Sequence, residues 1–225
     1  MSTILCIDTA GEQGMLLLMQ QGECVAMRSN PEQQTHAAFL QPAIADMLQQ
    51  TGIAMKNIQA VAVSNGPGSY TGLRVGLAAA KGLCFALNIR LITLGTLDIM
   101  AKAMHQLQPA ADAYCPMIDA RRMEVFTALY NNALQQLHAP AAVLLDEQFL
   151  QTERTTQRIV YAGSGAAKWT TLIKENNLII SEAAWRDAFV TLAGQAFQLQ
   201  QWADTAYAEP FYCKAFYQPV KKTAE

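Results

Sequence analysis

The sequence predicts an α/β fold built from two related halves, and three observations point to it. Short apolar strands alternate with stretches of helical periodicity along most of the 225 residues. A hydrophobic run ends in an isoleucine–aspartate pair twice, at Ile7-Asp8 and Ile118-Asp119, and each pair is followed by a turn and a second apolar run. Gln108-Pro109 punctuates the chain between them, dividing it into an N-terminal half, 1–108, and a C-terminal half, 109–225.

The first half opens with strands. Ile4 to Ile7 is a short buried strand ending at Asp8, Met15 to Met19 is a second, and the two glycines of Thr9 to Gly14 suit the hairpin between them. A turn at Gln20 to Glu23 leads to a third strand, Cys24 to Met27, so the opening is a meander. The period then changes: Ala37, Leu40, Ile44, Met47 and Leu48 share one helical face, with Gly52 as the stop and Pro42 expected to bend the helix or delay its start. A strand at Ala60 to Ser64, a glycine-rich loop, a long helix from Thr71 to Leu87, a strand at Leu91 to Thr93 and a helix from Leu97 to Leu107 complete the half.

The second half restarts the same grammar. Strands are expected at Tyr114 to Ile118 and Val125 to Tyr130, then a weaker strand before a helix from Asp146 to Glu153. Ile159 to Ala162 is a further strand leading into Gly163-Ser164-Gly165, and helices from Ala166 to Glu175 and from Phe189 to Trp202 finish the chain.

Composition narrows the function classes. Charged residues make up 15% of the chain against roughly 25% in an average domain. Hydrophobic residues reach 52%, enough for a sizeable core. A formal net charge of -2 argues against a protein that grips nucleic acid by itself, since phosphates call for a basic field; only Arg121-Arg122 and Lys221-Lys222 are locally basic. The cysteines, Cys6, Cys24, Cys84, Cys115 and Cys213, are odd in number and never spaced as Cys-x-x-Cys, so a reducing cytoplasm is the expected setting. Met1 to Ala10 lacks the pattern of a signal peptide, and no apolar run approaches the roughly 20 residues of a membrane helix.

The most specific stretch is Gly66-Pro67-Gly68-Ser69-Tyr70-Thr71-Gly72-Leu73-Arg74-Val75-Gly76. It joins a strand to a helix, the setting in which backbone N–H groups bind phosphate. Its spacing matches neither a P-loop nor a dinucleotide turn. A tight structural turn, with Ser69 or Thr71 capping the helix, is the better reading. Along that helix Gly72, Gly76, Ala79, Leu83 and Ala86 form a stripe of small and apolar residues, with Arg74 and Lys81 opposite. Glycine in a helix interior costs about 1 kcal/mol relative to alanine, so the glycines are expected to serve close packing, either within the chain or against another subunit.

Residues Gly66 to Leu83 resemble the signature of the TsaB (YeaZ) family, and Ile118-Asp119-Ala120-Arg121-Arg122-Met123-Glu124-Val125-Phe126 resembles its second signature. Ile7 to Ala10, Thr35-His36, Leu40-Gln41-Pro42, Ala162 to Gly165 and Pro210-Phe211-Tyr212 fit the same family in the same order. The resemblance implies an ASKHA (actin-like ATPase / ribonuclease H-like) fold of two duplicated halves with mixed sheets. It implies a part in bacterial threonylcarbamoyladenosine modification of tRNA, as the non-catalytic partner of the transferase TsaD, with TsaE as an associated ATPase. It also implies a homodimer when alone, tRNA contact only through the complex, no cofactor on this chain, and ATP and metal on partner subunits. The partner contact is then expected on Gly72, Gly76, Ala79, Leu83 and Ala86, with Gly66, Gly68, Ser69, Thr71, Arg74, Asp119, Arg121 and Glu124 as motif positions.

Other chemistries are weighed beside this one. Asp8 and Asp119 stand where sugar kinases of the fold place phosphate and Mg²⁺ loops. However, Asp119 is followed by Ala120-Arg121-Arg122-Met123, and Asp8 by Thr9-Ala10, without the expected glycine or Gly-Thr. They are read first as structural relics and second as nucleotide or Mg²⁺ ligands. No pair among His36, His105 and His138 has metal-ligand spacing, and neither Ser69 nor Ser164 sits in a Gly-x-Ser-x-Gly elbow. Arg121 and Glu124 are placed to form an ion pair bracing the cleft or the partner interface. The alternative function is a small ASKHA kinase or peptidase-like enzyme acting on its own.

Overall fold

A computed structural model of the chain describes residues 2–173 and 177–214. The Lys221-Lys222 pair and the end of the helix expected through Glu175 lie outside these residues.

The first sheet holds β1 (Thr3–Asp8), β2 (Gly14–Gln20), β3 (Glu23–Asn30), β4 (Ala60–Ser64) and β5 (Arg90–Leu94), in the order β3-β2-β1-β4-β5. The meander β1-β2-β3 is antiparallel, and β4 and β5 join parallel to β1. Alternation along β1 sends its side chains to opposite faces. Leu5 and Ile7 pack with Leu40, Ile44 and Met47 of α1 (His36–Thr51) and with Leu77, Ala80 and Cys84 of α2 (Tyr70–Leu87). Ile4 and Cys6 point the other way, onto Ile99 and Ala103 of α3 (Thr96–Leu107) and Ala188, Phe189 and Ala193 of α6 (Glu182–Gln198). Pro42 lies inside α1 without ending it.

The second sheet repeats the plan with four strands in the order β8-β7-β6-β9. β6 (Ala113–Asp119), β7 (Glu124–Asn131) and β8 (Gln136–Leu144) are antiparallel neighbours, and β9 (Ile159–Ala162) runs parallel to β6. One face packs on α5 (Ala166–Ile173), where Trp169 meets Cys115, Met117 and Tyr161. The other face, with Tyr114, Tyr130 and Val160, packs on Leu97, Met100 and Met104 of α3. So α3 is apolar on two sides and lies between the sheets. The chain has the ASKHA architecture of two mixed sheets with helices on their faces.

Two elements differ from expectation. The last helix starts at Glu182 rather than near Phe189, because Ser181 caps it by accepting from the Ala184 N–H at 3.2 Å, and it ends at Gln198 rather than Trp202. The helix expected from Asp146 begins only at Gln151, as α4 (Gln151–Thr156): Asp146 Oδ1 accepts from the Gln148 N–H at 2.9 Å and holds a turn there. Among the described residues no helix is long and apolar enough to cross a membrane.

Candidate functional site

The two matching aspartates sit in opposite environments. Asp8 ends β1 and is 4% exposed; its Oδ1 accepts from Ser64 Oγ at 2.5 Å and from the Ala10 N–H at 3.0 Å. Burial pushes its carboxyl above the ordinary carboxylate range. Those two hydrogen bonds, the nearby Trp185 indole N–H and His36 offset that rise only in part. Asp119 ends β6 in the open, accepting from Lys168 Nζ at 2.6 Å and from the Arg121 N–H at 2.6 Å. The Lys168 hydrogen bond holds its carboxyl below the ordinary range.

Asp8 forms part of the wall of a cavity of about 280 Å³ between the two sheets, and Asp119 does not. The remaining wall comes from the turn after β1, the starts of α3 and α6, Ile118 and the Gly163-Ser164 turn. Its ionisable groups are Asp8, Glu12 and Glu182, with no lysine, arginine or histidine. A nucleotide's phosphates would meet no cationic side chain in this wall. Among the described residues, no group of three His, Cys, Asp or Glu could hold a metal ion.

The glycine-rich loop is filled by the chain itself. The Gly66-Pro67 peptide is cis, and Gly66 has a φ of +109°. The Ser69 N–H donates to the Ala10 carbonyl at 2.7 Å, and Ser69 Oγ caps α2 by accepting from the Gly72 N–H at 3.2 Å. A side chain on Gly68 would collide with Ala10, one on Gly72 with the Thr9 carbonyl, and one on Gly76 with Thr9 Oγ1. The glycines let α2 seat against the turn after β1. Thr71 lies exposed beside them.

That packing takes up part of the expected partner face. Gly72 and Gly76 are buried against Ile7 and Thr9, and Ala79 and Leu83 lean on the first sheet's core. Of the expected stripe, Ala86 alone is exposed. The open face is turned further round the helix, along Ala78, Gly82 and Phe85, and Phe85 is 86% exposed. Ala78, Gly82 and Phe85 carry the i, i+4, i+7 spacing of one helix face, but only the position of the sheet distinguishes that face from the glycine stripe beside it.

A C-terminal strap crosses the same helix, along a path with no local signal in the sequence. The Ala203 N–H donates to the Leu91 carbonyl at 2.8 Å, and Lys81 Nζ donates to the Ala206 and Ala208 carbonyls at 2.9 and 3.1 Å. The Phe211 N–H donates to the Asn65 carbonyl at 2.8 Å. Tyr212 stacks on Tyr70 with ring centroids 5.2 Å apart, and its hydroxyl accepts from Arg74 Nε at 3.1 Å. Lys214 Nζ then reaches Glu124 at 2.9 Å. Glu124 therefore pairs with the strap and not with Arg121, whose backbone, like that of Arg122, is left-handed at φ +71° and +47°.

Comparisons with known proteins point to tRNA threonylcarbamoyladenosine biosynthesis, under the names TsaD and TsaB. The family model described as "TsaD: tRNA N6-adenosine threonylcarbamoyltransferase" matches residues 30–222. The chain is 30% identical over 222 residues to the tRNA threonylcarbamoyladenosine biosynthesis protein TsaB of Escherichia coli, covering 94% of each. It is 35% identical over 124 residues to the TsaB of Haemophilus influenzae, an alignment spanning 55% of this chain and about half, 52%, of that protein. YeaZ from Pseudomonas aeruginosa shares its fold, with a TM-score of 0.78 at 24% identity over 94% of this chain and 100% of that one.

Proposed function

Since the chain belongs to the TsaB (YeaZ) family, we propose that it serves the biosynthesis of threonylcarbamoyladenosine in tRNA as an activating subunit that binds TsaD and performs no chemistry itself. The observation that carries the reading is the outward face of α2. Ala78 and Gly82 lie exposed on the same face as Phe85, a ring left 86% in water. An exposed aromatic beside small residues is the pattern of an interface anchor. TsaD takes this face in the working complex, and a second copy of the chain takes it when TsaD is absent. ATP and metal belong to partner subunits, TsaE among them, and tRNA is reached through the complex. The near-neutral charge and the carboxyl-lined cavity support that division.

Co-purification with TsaD tests the reading. Phe85→Asp and Gly82→Trp, both at open positions, are expected to keep the circular dichroism spectrum and lose TsaD. Retention of TsaD by both variants overturns the interface. Tight Mg-ATP binding that is abolished by Asp8→Ala or Asp119→Ala overturns the non-catalytic role.

A further inference from the structure

The cavity between the sheets has no part in that role, yet it is built like a binding site. We propose that it binds a small organic cation, a primary amine carried on an apolar body. Two buried polar side chains are among its lining. Thr96, 4% exposed, has an Oγ1 with no hydrogen-bond partner among the described residues. Buried hydroxyls are ordinarily paired, so this one asks for a ligand. Asp8, equally buried, accepts from Ser64 Oγ and the Ala10 N–H through Oδ1 and has the Trp185 indole N–H beside it.

Charge selects the class of ligand. Asp8, Glu12 and Glu182 face the cavity and no cationic side chain does. The starts of α3 and α6 also face it, but each carries an acid in its own first turn, Asp98 and Glu182, which meets the positive end of the helix. An anion would find no countercharge, whereas an ammonium, with three donors, finds carboxyl and hydroxyl acceptors. Met15, Met100, Ile118, Ile180 and Trp185 supply apolar wall for the rest of the ligand. At the rim, Gln13 Nε2 donates to Glu182 Oε2 at 3.0 Å and ties the first turn to α6. A volume of about 280 Å³ lies just under the range of small-molecule pockets, about 300–1,000 Å³, and suits a phenethylamine-sized ligand.

Isothermal titration calorimetry on the full chain tests this with phenethylamine, its uncharged analogue 2-phenylethanol and its anionic analogue 3-phenylpropionate. The amine is expected to bind about tenfold or more tighter than either analogue. Asp8→Asn and Thr96→Val should each weaken the amine about tenfold, and Thr96→Ser should restore it. If Asp8→Asn fails to fold, Glu182→Gln at the rim replaces it and should weaken the amine while leaving 2-phenylethanol unchanged. No amine binding at millimolar concentration, equal binding of the amine and the anion, or unchanged amine binding in the variants overturns the proposal.

Discussion

Thr9 Oγ1 donates to the Gly72 carbonyl at 2.7 Å, and the same residue fills the space where side chains on Gly72 and Gly76 would stand. Gly76→Ala should therefore cost about 1–3 kcal/mol of stability by overpacking. The collision is with a hydroxyl, so the cost should shrink in a Thr9→Ala background. At Gly72 the obstacle is the Thr9 main-chain carbonyl, so Thr9→Ala should leave the cost of Gly72→Ala in place. Urea unfolding of the two double-mutant cycles checks the contrast.

Gly82 is the opposite case. Nothing lies within 4 Å of where its Cβ would be, and it sits in mid-helix on the open face. Gly82→Ala should stabilise the isolated chain by about 1 kcal/mol, seen as a higher urea midpoint. A gain in stability together with lost TsaD binding would show that the glycine is kept for contact.

The aspartates predict opposite pH dependences. Asp8 has a raised folded pKa, so its contribution is present below the unfolded value of about 3.8 and is lost as pH rises through the folded one. The stability of Asp8→Asn relative to the parent should therefore increase from about pH 4 to pH 7. Asp119 has a lowered pKa, so its contribution is present above about 3.8 and is lost as pH falls through the folded value. Lys168→Met should flatten that acid limb. Thermal unfolding across the pH range reads both slopes.

The strap should respond to a single ring. Tyr212→Ala removes the stack on Tyr70, worth about 1 kcal/mol, and the acceptor for Arg74. Limited proteolysis should then cut near Tyr207 sooner than in the parent, while Tyr212→Phe keeps the stack and most of the protection.

What the sequence made legible follows from range. The meander, α2 and the recurrence of Ile-Asp are local patterns, and the structure carries them with bounds shifted by one to three residues and Ser69 as the cap. Neither the pairing of Glu124 with Lys214 nor the orphaned hydroxyl of Thr96 has a local signal, because both arise from segments far apart in the chain. The face of α2 was readable only in part: glycine spacing marks close packing but not the side on which the sheet lies. The start of α6 does carry a local signal, the capping pair Ser181-Glu182, but the apolar run at Phe189 outweighs it in the sequence.

The packing of α6 on β1 has a consequence for synthesis. Ile4 and Cys6 leave the ribosome early, but Ala188, Phe189 and Ala193, which cover them, are made almost two hundred residues into the chain. At about 5–20 residues per second, roughly 5–20 s separate β5 from α6. For that interval α3 alone covers this sheet face, and the apolar part that α6 later takes stays open, a natural landing place for a chaperone and a hazard for any fragment that stops short of the last helix.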